Sequence, residues 1–251
     1  MKITKVEQFV VAVPHIEPIQ KHRPQDYTDR PISIIKVHTD EGIYGLGESG
    51  RGGRFDDAIE KWIGLDPMTL KWQDLGGGFG SAIFDIVGKA LGIPAHKLMG
   101  AQHWEEVPVG YWSCPMEPEE FAAEAEKGVK LGFKTHKLKA RPWNIVETVR
   151  LMTEAAGPDY GIIVDPNFTF ETPEESIRLA HELEKYNIEA FEDPFSYEEY
   201  GWDSYHQFRQ QTNIPLAPHL YDPKKILEAI KADAADMFNT GGGPSHASNN
   251  A

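Results

Sequence analysis

The sequence predicts an α/β protein in two parts: an N-terminal α+β unit over residues 1–106, and a partial parallel β/α barrel of about six strands over residues 107–240. Two observations lead to this prediction. The first part has the pattern of an antiparallel sheet followed by helices. From Val107 onward, apolar strand patterns alternate with helical patterns, which is typical of parallel strands joined by right-handed crossovers. Residues 241–251 fit neither pattern and are expected to form an irregular tail.

In the first part, alternating apolar and polar residues predict strands, and the turn signal at residues 40–42 predicts a hairpin between two of them. The polar, Pro-containing residues 14–31 are expected to form a long loop, as are the Gly/Arg-rich residues 50–54. Helical patterns follow these segments. The strands are expected at 2–13, Ser33–Thr39 and Ile43–Gly47, and the helices at 55–63, 67–75 and 80–91.

In the second part, Pro118, Pro173 and Pro223 mark helix starts, because proline is tolerated in the first helical turn. A complete eightfold barrel takes about 250 residues, so residues 107–240 have room for about six strand–helix units. An open barrel would expose strand edges, which predicts a homo-oligomer. The strands are expected at Val107–Tyr111, Phe133–Leu138, Gly161–Asp165, Ala190–Glu192, Ile214–Ala217 and Ala235–Phe238, and the helices near 118–131, 144–156, 173–186, 202–212 and 223–231.

Composition narrows the classes of function. The formal net charge is −14, from 39 acidic and 25 basic residues, which argues against binding to nucleic acids or to anionic membranes. The single cysteine, Cys114, excludes an intrachain disulfide and a cysteine-rich zinc site. The N-terminus lacks an apolar signal core, and no apolar run approaches the length of a membrane span, so a cytoplasmic protein is expected.

Three apolar runs in the second part end in residues that can bind a metal ion. Asp165, Glu192 and His219 are each 27 residues apart (192 − 165 and 219 − 192), which is room for one strand, one helix and two loops. Because the carboxyl ends of neighbouring barrel strands share one rim, these side chains are expected to meet at one cation. The carboxylates favour Mg²⁺. His219 either is a softer ligand, which would favour Mn²⁺, Fe²⁺ or Zn²⁺, or hydrogen-bonds a substrate oxygen.

One strand–helix unit upstream, Lys137 and Lys139 flank Leu138 and share one face of a strand, because side chains alternate along strands. A salt-bridge network with Asp165 and Glu192 is one interpretation, and a solvated lysine pair is another. The interpretation favoured here is catalytic, because a nearby cation and a second ammonium group both lower a lysine pKa. Lys139 would then remove a proton next to a carboxylate, Lys137 would steady the anion, and the metal would stabilise the enediolate.

Three further residues are candidates for substrate binding. Asn167 lies two positions beyond Asp165. Arg51 and Arg54 lie on a glycine-rich stretch, from which they would clamp a carboxylate unless that stretch is simply a solvated loop. The Gly-x-Gly-x-x-Gly match at residues 45–50 does not indicate a dinucleotide site, because it follows an antiparallel hairpin strand rather than opening a strand–helix–strand unit.

With these residues in view, the chain resembles the enolase superfamily, in its mandelate racemase/muconate lactonizing enzyme group. Residues 42–48 resemble the hairpin of that family's capping domain. Residues 81–94 resemble its helix, which ends in a Gly-Lys-x-x-Gly-x-Pro signature. The matching barrel positions are Lys137 and Lys139 of the Lys-x-Lys motif on the second strand, Asp165 with Asn167 on the third, and Glu192 with Pro194 on the fourth.

The resemblance implies an α+β capping domain on a modified TIM barrel, a Mg²⁺ cofactor and a small carboxylate substrate such as a sugar acid. It also implies that Lys139, as the second lysine of the motif, is the base, and that residues 14–31 and 50–54 are specificity loops. The predicted activity is therefore that of an acid-sugar dehydratase (a lyase) or, second, of a racemase or epimerase (an isomerase).

Departures from the family pattern matter, and the early end of the strand–helix pattern favours an alternative. His219 stands where the family usually has Glu, Asp or Asn, and no strand or helix is predicted after Phe238, so strands seven and eight and the family's second acid/base group are missing. Two-base racemisation or histidine-assisted dehydration would then be difficult for this chain alone. The alternative is a truncated, non-catalytic member of the superfamily that retains metal binding.

Overall fold

The computed structural model describes residues 1–22, 31–49, 60–71, 77–102 and 104–240. The chain divides into two compact units, one within the first 106 residues and one over residues 107–240. Over the described ranges, every helix is too short or too polar to cross a membrane.

The N-terminal unit contains an antiparallel sheet of three strands in the order β1–β2–β3. β1 (Ile3–Ala12) is followed by a short helix, α1 (Glu17–His22), and pairs with β2 (Pro31–Thr39). β2 in turn pairs with β3 (Tyr44–Ser49). Buried and half-buried residues alternate along β2, as expected for a sheet that packs one face against a core.

Helix α2 (Gly77–Leu91) packs against the buried face of this sheet. A Cβ atom on Gly45 would lie 2.0 Å from the backbone oxygen of Ala82, and one on Gly47 would lie 1.7 Å from that of Gly78. Both distances are far below a van der Waals contact, so only glycine lets the helix approach β3 this closely. The first two glycines of the rejected dinucleotide motif therefore serve helix–sheet packing.

Two expectations for this unit are wrong over the described residues, and residues 23–30, 55–59 and 72–75 of these predictions lie outside them. Helix α1 forms within the predicted loop at residues 14–31. In the described parts of the helices predicted at 55–63 and 67–75, only two short 3₁₀ turns form, because Gly64 (φ 86°) and the extended residue Leu70 end them. The turns are Glu60–Trp62 and Pro67–Thr69.

The second unit is a parallel sheet of five strands in the order β4–β5–β6–β7–β8, with a helix in each crossover. Three of its helices begin at Pro118, Pro173 and Pro223, which confirms the helix starts that the prolines predict. The strands are β4 (Tyr111–Ser113), β5 (Thr135–Lys139), β6 (Gly161–Asp165), β7 (Ile188–Glu192) and β8 (Leu216–Ala217), and the helices are α3 (Pro118–Lys130), α4 (Ile145–Ala156), α5 (Pro173–Leu183), α6 (Tyr197–Gln211) and α7 (Pro223–Lys231).

The first predicted barrel strand begins later than expected. Val107–Tyr111 was the predicted range, whereas β4 covers Tyr111–Ser113. Pro108 has no N–H to donate to a ladder, and Val107 and Val109 are more than two-thirds exposed, so nothing fixes this stretch as a strand.

The last predicted strand, Ala235–Phe238, is reduced to a single parallel bridge between His219 and Asn239. Just before this bridge, Asp236 makes two hydrogen bonds to Leu216 of β8 that do not follow a regular ladder. Its carboxylate accepts the Leu216 N–H at 2.8 Å, and its own N–H donates to the Leu216 carbonyl at 3.0 Å. Five strands and one bridge agree with the predicted partial barrel of about six strands.

Side chains alternate along β5, so its buried residues lie on one face and its half-buried residues on the other. His136 and Leu138 are fully buried on one face, whereas Thr135, Lys137 and Lys139 are only half-buried on the other. The two lysines therefore share a face, as the sequence predicts. On the buried face the core includes Ile162, Val164, Phe191 and Leu216, each fully buried.

His136 is a polar residue in this core. Its Nε2 lies 2.8 Å from Ser113 Oγ, its Nδ1 has no hydrogen-bond partner among the described residues, and the rings of Tyr111 and Tyr160 approach it edge-on. Burial lowers the pKa of His136 to about 4, although the negative charge of Glu124 acts in the opposite direction.

Replacing Gly45 by Ala is expected to lower the free energy of unfolding of the N-terminal unit by about 1–3 kcal/mol, because the added methyl group has no space against α2. Urea denaturation followed by tryptophan fluorescence measures this loss. The matched control is Leu46→Ala at the next position, which is 47% exposed and should change stability by no more than about 0.5 kcal/mol. Equal losses in both variants would contradict the packing role of Gly45.

Because of His136, the free energy of unfolding is expected to decrease as the pH falls from about 6.5 to about 4. Over this range the unfolded chain binds a proton on this histidine and the folded chain does not, so unfolding is favoured by up to about 3 kcal/mol. His136→Gln keeps a hydrogen-bonding group for Ser113 but cannot titrate. Urea unfolding from pH 4 to pH 7 should therefore show a weaker pH dependence for the variant, and identical slopes would count against this account.

Candidate active site

The carboxyl ends of β5, β6 and β7 lie side by side in the parallel sheet. Lys139, the last residue of β5, pairs in register with Asp165, the last residue of β6. Glu192 ends β7 and pairs with Ala217 of β8. The even spacing of these strand ends in the sequence thus corresponds to neighbouring positions along one edge of the sheet.

At this edge the two lysines of β5 contact the carboxylates of the next two strands. Lys139 Nζ lies 2.5 Å from Asp165 Oδ2, and Lys137 Nζ lies 3.0 Å from the same oxygen. Lys137 Nζ also lies 2.6 and 2.7 Å from the two carboxylate oxygens of Glu192. One cationic nitrogen is therefore within 3.0 Å of both carboxylates, and the structure brings together four of the predicted site residues.

Burial and charge act against each other on these groups. The carboxyl of Asp165 is fully buried, and burial alone would raise its pKa, but the hydrogen bond and charge of Lys139 and the charge of Lys137 outweigh burial, so its pKa is lowered. For Lys137, burial lowers the pKa, whereas its hydrogen bond with Glu192 and the charge of Asp165 raise it, and the net shift is upward. In this arrangement carboxylates are the nearest neighbours of Lys137, which keeps it positively charged, as its proposed electrostatic role requires.

His219 lies beside Glu192, with 3.7 Å between its Nδ1 and Glu192 Oε1. Its imidazole is about one-third exposed and packs against the ring of Tyr221, with 4.8 Å between the ring centroids. The third residue with the 27-residue spacing therefore does reach the same edge of the sheet.

Asp193 is a site residue that the sequence analysis missed. Its carboxylate is buried and accepts the His219 N–H at 2.9 Å. Burial raises the pKa of Asp193 to about 7, the His219 N–H lowers it, and the negative charges of Glu192 and Asp165 add to the increase.

Strand alternation would point residues 192 and 193 to opposite faces. The left-handed backbone of Asp193 (φ 47°) breaks that alternation. In the sequence, the run Glu192-Asp193-Pro194 was the only indication that Asp193 could belong to the site.

Of the three predicted substrate-binding residues, the structure describes only Asn167. Asn167 contributes its backbone, since its N–H donates to Asp165 Oδ1 at 3.1 Å while its side chain is exposed. Its φ of 48° is left-handed, a conformation that asparagine tolerates. Arg51 and Arg54 lie outside the described residues.

The donor groups at this edge fit a divalent cation. One ligand atom from each of Glu192, Asp193 and His219 lies within 4.8 Å of the other two. Lys137 Nζ contacts the carboxylates of both Asp165 and Glu192. These two carboxylates therefore lie close together, and Asp165 can face the same ion as Glu192. Carboxylate oxygens are suited to Mg²⁺ or Mn²⁺, and an imidazole ligand shifts the preference toward Mn²⁺ and later transition metals.

Comparison with known proteins places this site in a family. The family described as "Enolase C-terminal domain-like" matches residues 120–242. The chain is 29% identical to the N-succinyl-L-Arg/Lys racemase of Bacillus cereus, an alignment that covers 95% of this chain and 72% of the racemase. It is also 29% identical to the D-galactonate dehydratase of Pectobacterium atrosepticum, with 83% of this chain and 65% of the dehydratase covered.

Solved structures agree with this comparison. The crystal structure of the Bacillus cereus racemase matches with a TM-score of 0.77 and 25% identity, covering 96% of this chain and 74% of the racemase. A dipeptide epimerase from Cytophaga hutchinsonii, solved with Mg and the dipeptide D-Ala-L-Val, shares the fold with a TM-score of 0.80 at 23% identity, over 98% of this chain and 75% of the epimerase. Residues 120–242 therefore match the enolase superfamily, and the chain as a whole is similar to members of its mandelate racemase/muconate lactonizing enzyme group.

Proposed function

We propose that this chain carries the groups for metal-dependent removal of a proton alpha to the carboxylate of a small acid, as an acid-sugar dehydratase or as a racemase or epimerase. The observation that supports this most directly is the contact of Lys137 and Lys139 with the buried carboxylates of Asp165 and Glu192 at one edge of the sheet. Known relatives include racemases, epimerases and acid-sugar dehydratases, which share this reaction class.

Glu192, Asp165 and His219 would hold the cation. When bound, the cation would supply Lewis-acid stabilisation of the negative charge that develops on the substrate carboxylate. Mg²⁺ is the first candidate because the two carboxylates are hard ligands, and Mn²⁺ is the second if the imidazole of His219 takes part.

Lys139 would act as the base and Lys137 as an electrostatic partner. Both ammonium groups lie within 3.0 Å of the same Asp165 oxygen, so each has the other as a positive neighbour. When the carboxylates act as metal ligands, the lysines lose their strongest hydrogen-bond acceptors. Lys139 would then accept the α-proton while Lys137 stabilises the resulting anion.

The substrate class is a carboxylic acid with a proton on the adjacent carbon. The relatives point to three chemical groups, because their names specify N-succinyl amino acids, dipeptides and sugar acids. Asn167, Arg51 and Arg54 are proposed to contribute to substrate binding.

Lys139→Ala is expected to slow metal-dependent exchange of the substrate α-proton by at least about 100-fold, because a positioned base contributes that much. Exchange is measured by NMR in deuterated buffer with Mg²⁺ or Mn²⁺, on a panel of sugar acids, dipeptides and N-succinyl amino acids. Lys130→Ala is the matched control, because this lysine is exposed on α3 and pairs only with Glu126 among the described residues.

The two possible negative results have different meanings. A Lys139→Ala variant that exchanges as fast as the wild type would overturn the assignment of Lys139 as the base. No exchange by the wild type over the whole panel, together with retained cation binding, would favour the non-catalytic alternative.

Glu192→Gln is expected to weaken Mn²⁺ binding by more than about 10-fold in calorimetric titration. Losing a residue that only hydrogen-bonds to a metal ligand has an effect of about that size, so losing a ligand should have a larger one. Glu189→Gln is the control on the same strand, because Glu189 accepts a hydrogen bond from Thr135 rather than from the lysines. An unchanged affinity in Glu192→Gln would remove this residue from the proposed ligand set. His219→Ala tests the imidazole in the same way.

A further inference from the structure

Asp193 connects the two loops on either side of its own strand end. Its backbone carbonyl accepts the N–H of Phe168, in the loop that follows β6, at 2.8 Å. Its side-chain Oδ1 accepts the N–H of His219, in the segment that follows β8, at 2.9 Å. One residue thus links the segments that carry Asp165, Glu192 and His219.

The side chain of Asp193 replaces a missing main-chain bond. In the β7–β8 ladder, Phe191 N–H donates to the carbonyl of Pro215, and pairing ends at Glu192 and Ala217. If the parallel ladder continued, the carbonyl of residue 193 would accept the His219 N–H. The left-handed backbone of Asp193 instead turns this carbonyl to Phe168 and leaves the carboxylate to accept the His219 N–H.

The segment around His219 is held from the other side as well. The Asn239 N–H donates to the carbonyl of Pro218 at 3.1 Å, and the Leu220 N–H donates to the carbonyl of Asn239 at 3.0 Å. Neither bond involves the N–H of His219 itself. The bond to Asp193 therefore completes the support of this residue where its imidazole lies near Glu192.

We propose that Asp193 is a positioning residue that fixes His219 for cation binding through the hydrogen bond between its carboxylate and the His219 backbone. This inference rests on the proposed function, because it assigns His219 a place in the cation site. Asp193 acts as a hydrogen-bond acceptor, and its negative charge is not required. An outer partner of this kind typically changes metal affinity by about 10–100-fold when it is removed.

Calorimetric titration of the full chain with Mn²⁺ tests this proposal. Asp193→Ala removes the acceptor and should weaken Mn²⁺ binding by about 10–100-fold. Asp193→Asn keeps a side-chain carbonyl oxygen for the His219 N–H and should bind Mn²⁺ nearly as well as the wild type. The matched control is Asp222→Ala, because Asp222 also accepts a backbone N–H, that of Lys224 at 2.9 Å, but caps α7. Circular dichroism checks that each variant is folded.

A double-mutant cycle with His219→Ala identifies the route of the effect. If Asp193 acts through His219, the double variant should bind Mn²⁺ as weakly as His219→Ala alone, whereas independent contributions would multiply. Multiplied losses, or an Asp193→Asn variant as weak as Asp193→Ala, would overturn the positioning role and indicate direct ligation by Asp193. Unchanged affinity in Asp193→Ala or in His219→Ala would also overturn it.

Failure of the cation site on which the proposed function depends gives a distinct result. In that case the wild type itself would show no Mn²⁺ binding, so no variant could weaken it. Wild-type binding that survives every Asp193 substitution would instead overturn only the inference about this residue.

Discussion

The structure of the second unit depends on the neutralisation of two buried carboxylates at adjacent strand ends. Asp165 is fully buried and Glu192 is 4% exposed, and carboxylates in such positions are costly unless they are paired. Lys137 and Lys139 supply the pairing from the neighbouring strand, which requires β5, β6 and β7 to lie in one register. A shift by one residue would turn both lysines toward the buried face, where His136 and Leu138 now lie.

The same ion cluster is better understood as a site than as a source of stability. Buried ion pairs contribute little net stability, because desolvation of the charges offsets their attraction. Apolar residues in place of all four charged groups would fill the space without that cost. The cluster lies at the carboxyl ends of parallel strands, where enzymes with β/α architecture bind their ligands, and although burial raises the pKa of the Asp165 carboxyl, Lys139 and Lys137 lower it by more.

Backbone conformations around the cluster indicate how it is supported. Asn167, Phe168 and Asp193 all have left-handed φ angles, between 47° and 67°, which non-glycine residues adopt at an energetic cost. These residues are linked to one another and to the site, since Phe168 donates to the carbonyl of Asp193 and Asn167 donates to Asp165. The strained residues thus belong to the hydrogen-bonded support of the carboxylates.

The sequence by itself determined the local features of this protein. Side-chain alternation put Lys137 and Lys139 on one face, prolines marked the starts of three helices, and regular spacing put Asp165, Glu192 and His219 at one edge of the sheet. Tertiary structure decided the features that depend on partners distant in sequence. These include the inward turn of Asp193, the upward shift of the Lys137 pKa and the loss of the strand at Ala235–Phe238. Periodicity reports the preference of each strand alone, whereas hydrogen bonds and charges from other strands set the conformation and protonation of its ends.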